Sequence, residues 1–80
     1  MTFNQAFAIR VREVLRQKKM TQYRLEQQTG IYHSSMTNIL NNTVKASNVR
    51  SIAIIIRELG MTMTEFFNSP VFDFDNLDID

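Results

Sequence analysis

An all-α fold of five short helices, followed by a brief acidic tail, is what this 80-residue chain predicts. The first reason is periodicity. Phe3, Phe7, Val11, Val14 and Leu15, and later Val49, Ile52, Ala53, Ile56 and Leu59, recur at the spacing of amphipathic helices. The second is the stretch TQYRLEQQTGIYHSSMTNILN, residues 21–41, in which Gly30 separates two short helical runs. The third is Thr62 with Glu65, a capping box placed directly before Phe66 and Phe67.

The first helix is expected over about 4–18. Its wet face carries Arg10, Arg12, Arg16 and Lys18, with Lys19 just beyond, and cations also suit the negative end of a helix dipole. Most of these read as a solvated surface and one or two as phosphate contacts. Met20 turns the chain, and Thr21 can cap a second helix over 22–29 that buries Leu25 and the Thr29 methyl. Gly30 supplies a left-handed residue, and Ile31 returns toward the core. In a third helix over about 33–40, Met36, Ile39 and Leu40 share one side, while His33, Ser34, Thr37, Asn38 and Asn41 project from the other. This is a helix-turn-helix with a hydrogen-bonding outer face suited to base edges.

Residues 41–47, NNTVKAS, read as a loop. A fourth helix over about 49–59 is capped by Asn48 or Ser47 and ended by Gly60, and a fifth follows Thr62. Pro70 closes a helix-turn-helix domain of residues 1–70. In the tail, residues 71–80, Phe72 and Phe74 alternate with Asp73 and Asp75; disorder is the first expectation there and docking on a partner or on the body the second.

Composition narrows the function. With 44% hydrophobic residues the chain makes one modest core, and five methionines read as gap-filling within it. No apolar run approaches the roughly 20 residues that cross a bilayer, so a cytoplasmic location without membrane contact is expected. The absence of cysteine excludes disulfides and thiolate zinc sites. One histidine, with no glycine-rich phosphate loop, argues against an enzyme, a metal site or a cofactor. Residues 1–70 hold all nine Lys and Arg against four glutamates, whereas the tail holds four aspartates and no base. A basic body implies an anionic partner, with the tail a solubilising end or a competitor for the same surface.

The Met20-Thr21-Gln22 entry, Leu25, Gly30-Ile31, Met36, Ile39, the Ile52, Ile55, Leu59, Gly60 series, and Thr62 with Glu65 before Phe66 share one spacing. Together they resemble the phage Cro and repressor-type helix-turn-helix domains, also called XRE-like, over about four fifths of the chain. The resemblance implies a bacterial or phage transcription regulator, dimeric on double-stranded DNA, whose third helix enters the major groove. Position by position, it implies base contacts from His33, Ser34, Thr37 and Asn38. Gln22 matches a residue that contacts phosphate and braces the third helix, and Asn41, Thr43 and Lys45 match residues gripping the backbone. Lys18, Lys19 and Arg24 could add phosphate affinity, but the third helix carries no cation, so a modest salt dependence is expected.

The departures from the family are informative. Leu15 and Leu40 replace a usual arginine and glutamate, which predicts apolar packing in place of an ion pair. Glu26 replaces a small alanine, so the second helix must sit farther out or Glu26 must find a basic partner. Ile56 is bulky where alanine is frequent. Tyr32 stands at the usual serine or threonine cap, which weakens the cap and brings a phenol to the phosphate path. Ile54 lies off the core stripe and is a candidate dimer contact. The alternative reading is an antitoxin or anti-repressor in which the tail engages a protein partner.

Overall fold

Five helices form in the expected order: α1 Phe3–Lys18, α2 Gln22–Thr29, α3 His33–Leu40, α4 Val49–Glu58 and α5 Met63–Phe67. The computed structural model describes residues 1–41 and 48–78, and no strand occurs among them. Local chemistry sets the boundaries. The Thr21 hydroxyl accepts from Arg24 N at 3.1 Å to start α2, and Asn48 Oδ1 accepts from Ser51 N at 2.7 Å to start α4. The Thr62–Glu65 capping box forms as expected. A second box, Thr2 with Gln5, starts α1 and went unread in the sequence. Tyr32 precedes α3 without a side-chain cap bond. Gly30 at φ 73° and Gly60 at φ 75° supply left-handed turns, and Lys19 adopts φ 54° at the end of α1, where a side chain makes that region unfavourable.

The core joins Phe7, Val11 and Val14 of α1 to Leu25 of α2, Met36 of α3, Ile55 and Ile56 of α4, and Phe66 of α5. Leu15 and Leu40, expected to pack directly on each other, are both buried in that same cluster. Full burial of one such side chain contributes about 1.5–3 kcal/mol, so α3 is anchored from behind by Met36, Ile39 and Leu40.

Several expectations are corrected. Arg10 is buried rather than wet: its Nε donates to Phe66 O at 2.7 Å, its Nη2 to Glu65 O at 3.0 Å, and its Nη1 to Glu13. A guanidinium can be hidden when carbonyls and a carboxylate satisfy its donors, and here it latches α1 to the last turn of α5. Val49 is exposed because it lies in the first turn of α4, ahead of the packed segment. Met36 fills the core and Met20 and Met61 pack against it, but Met1 and Met63 are exposed.

The tail docks on the body, the second of the two expectations, instead of remaining disordered through residue 78. Its 3-10 turns, Pro70–Phe72 and Phe74–Asn76, fold back so that the Phe72 ring lies 4.8 Å from Phe67 and 5.9 Å from both Phe3 and Phe66. Such aromatic pairs offset the ordering of a short segment. The Met1 ammonium donates to Asn76 O at 2.9 Å and lies 3.1 Å from the Asp78 carboxylate.

Candidate nucleic-acid interface

Gly30, Ile31 and Tyr32 make the bend that sets α3 across α2. Glu26, on α2, is only 7% exposed, and an apolar environment would disfavour its charge unless donors surround it. They do. Gln22 Nε2 donates to Glu26 Oε2 at 2.9 Å, and His33 Nδ1 reaches the same oxygen at 2.8 Å. Gln22 Nε2 also donates to Thr37 Oγ1 at 3.1 Å, and that hydroxyl lies 3.4 Å from His33 Nε2. The four side chains therefore close a ring between the two helices. The Gln22 amide, first among the causes, holds the Glu26 carboxyl below the ordinary carboxylate range; burial opposes this and His33 adds to it.

This ring answers the question raised by Glu26. Its basic partner is His33, from the other helix of the motif. The spacing signals were available, since Gln22 and Glu26 are four residues apart on one helix, but the seven-residue step across the Gly30 bend becomes a contact only once the turn geometry is known.

The residues expected on one face do come together. His33, Ser34 and Asn38 are exposed, and Thr37 is half-buried. They are not uniformly unengaged: His33 and Thr37 belong to the ring, although the His33 side chain remains 77% exposed. Gln22 is committed to bracing α3, which accounts for one of its two expected roles. Asn41 Oδ1 accepts from Arg12 Nη2 at 2.8 Å, and Arg12 also donates to Leu40 O at 3.2 Å. Arg12 thus closes the C-terminal end of α3, a role unread in the sequence. Arg12, Arg16 and Lys19 border one groove with Gln22, placing cations of α1 beside the paired helices. Tyr32 is 82% exposed, and Ile54 is half-buried. Thr43 and Lys45 lie outside the described residues.

Among the described residues no group of His, Cys, Asp or Glu could hold a metal ion, and no helix is long and apolar enough to cross a membrane. What is assembled is a braced pair of helices presenting a polar face with basic flanks. The chain belongs to the Cro/C1-type HTH DNA-binding domain family, whose model matches residues 10–70, more than half of its length. No curated protein and no solved structure matches it.

Proposed function

We propose that this protein is a non-catalytic, sequence-specific transcription regulator, a repressor, that reads the major groove with α3 and binds DNA as a homodimer. The observation that carries the reading is the two-sided character of α3: Met36, Ile39 and Leu40 are buried while His33, Ser34 and Asn38 are exposed. Short polar side chains on a helix anchored from behind let the backbone approach base edges. Thr37 would join them from its partly covered position. Gln22, Tyr32, Asn41, Thr43 and Lys45 are the proposed phosphate contacts, aided by the α1 cations beside Gln22. Ile54 is the proposed contact between copies.

Selection of bound sequences from a random duplex pool tests this directly. A two-fold symmetric motif with half-sites about one helical turn apart is expected, and failure to enrich any sequence would refute the reading. Asn38→Ala should cost about 1–3 kcal/mol on the selected site and little on random DNA. Equal losses on both would exclude base readout by this residue.

A second reading, a protein-docking module, is favoured by one feature. Phe74 is 79% exposed between Asp73 and Asp75 on the tail. Truncating the tail would remove Phe72 from the aromatic cluster, so Phe74→Ala is the cleaner variant. Unchanged DNA binding by that variant supports the regulator reading, whereas absence of DNA binding in both forms supports the docking one.

A further inference from the structure

The ring between α2 and α3 fixes which imidazole atom of His33 faces outward. An ionised carboxylate only accepts hydrogen bonds, so the atom of His33 touching Glu26 Oε2, Nδ1, carries a proton. Gln22 uses both amide protons, one on Glu26 and one on Thr37, leaving the Thr37 hydroxyl proton for His33 Nε2. At 3.4 Å that last contact is weak, and a ligand group can displace it. Nε2 is therefore the atom of the ring available to DNA.

We propose that Glu26 is the positioning residue that sets the base preference at His33, by holding the proton on Nδ1 so that Nε2 of the neutral ring faces outward as an acceptor. This rests on α3 reading the major groove. A neutral Nε2 pairs with an exocyclic amino group, N4 of cytosine or N6 of adenine, whereas a protonated Nε2 donates to guanine O6 or N7. Without Glu26 the ring could flip or change tautomer, and neutral His33 could offer a donor as readily as an acceptor.

Among the described residues, the groups facing His33 are few. From α2 come the Glu26 carboxylate and the Tyr23 phenol, and Tyr32 lines the same groove from the turn. From α1 and its C-cap, Arg12, Arg16 and Lys19 border a separate groove with Gln22, and Arg12 is engaged at the far end of α3. The carboxylate is the charge in contact with the ring.

His33 is the only histidine, so its ring nitrogens can be followed in the intact protein by 15N NMR without assignment ambiguity. A neutral ring protonated at Nδ1 is expected in the wild type and in Glu26→Gln, whose amide oxygen still accepts, and should be lost in Glu26→Leu. A neutral ring protonated at Nε2 in the wild type would overturn the proposal, and this reading needs neither DNA nor a variant that folds. Random-pool selection with the wild type and with Glu26→Leu supplies the second arm, with His33→Ala marking the position read. At that position alone, the wild type should prefer an amino-bearing base and Glu26→Leu should lose that preference, by about tenfold. A motif whose preference there is unchanged by Glu26→Leu overturns the proposal and leaves the regulator reading intact. No motif with the wild type overturns both.

Discussion

Arg10 and Glu26 are equally hidden, each 7% exposed, yet they are satisfied in opposite ways. The Arg10 donors end on two backbone carbonyls of α5 and on Glu13, partners that tie one part of the scaffold to another. The Glu26 carboxylate is held by Gln22 and by His33, and the latter is exposed on the face that the family reading assigns to DNA. One buried charge closes the domain. The other reaches through the motif to its surface. Burial of an ion is therefore no guide to its role until its partners are named, because the same desolvation can be offset by the backbone or by side chains that have further work to do.

Substitution should separate the two. Arg10→Ala leaves the Phe66 and Glu65 carbonyls without their donors and should cost roughly 3 kcal/mol in urea unfolding, with the selected DNA motif unchanged in the folded fraction. A loss below about 1 kcal/mol would show that water replaces the guanidinium freely. Glu26→Leu should reverse the pattern, with a smaller change in unfolding and an altered motif.

Acid should expose Glu26 again, alongside Glu65, whose carboxyl is lowered first by the Thr62 backbone N–H and then by the Thr62 hydroxyl. Both ionise more readily in the folded chain than in the unfolded one, so the unfolded state binds more protons. Their contribution is complete above the ordinary value near 4.5 and is lost as pH falls through their lowered folded values. Unfolding midpoints measured from pH 6 down to pH 2 should decline, and Glu26→Gln and Glu65→Gln should each flatten part of that decline. A midpoint indifferent to acid would remove the ring as a source of stability.

The smallest effect concerns Lys19. Relief of its left-handed φ of 54° by Lys19→Gly should raise stability by about 0.5–1 kcal/mol while removing one cation from the groove beside Gln22. Thermal melts and the slope of DNA affinity against salt would record the two consequences independently.

The helices were legible because their signals are local. Apolar spacing along α1, Gly30 between α2 and α3, and the Thr62–Glu65 box each act within one or two turns. The polar face of α3 was legible for the same reason. What escaped were contacts between residues distant in sequence: Arg10 with α5, Arg12 with the end of α3, and His33 with Glu26 across the bend. Arg10 shows why. It stands three residues after Phe7 and four before Val14, on the apolar stripe of α1, but a charge there reads as wet until the α5 carbonyls that satisfy it and the Phe66 ring 5.8 Å from its guanidinium are known. The tail misled by composition, since four aspartates outweigh two phenylalanines in any average, whereas Phe72 settles the matter by completing an aromatic cluster.

The placement of the tyrosines has a practical consequence. The chain contains no tryptophan, and its two tyrosines, Tyr23 and Tyr32, both line the groove that holds Glu26 and His33. Ultraviolet emission excited above the phenylalanine band therefore originates wholly at this groove. The protein carries its own optical reporter there, so occupancy of the groove can be titrated by intensity or anisotropy without attaching a dye.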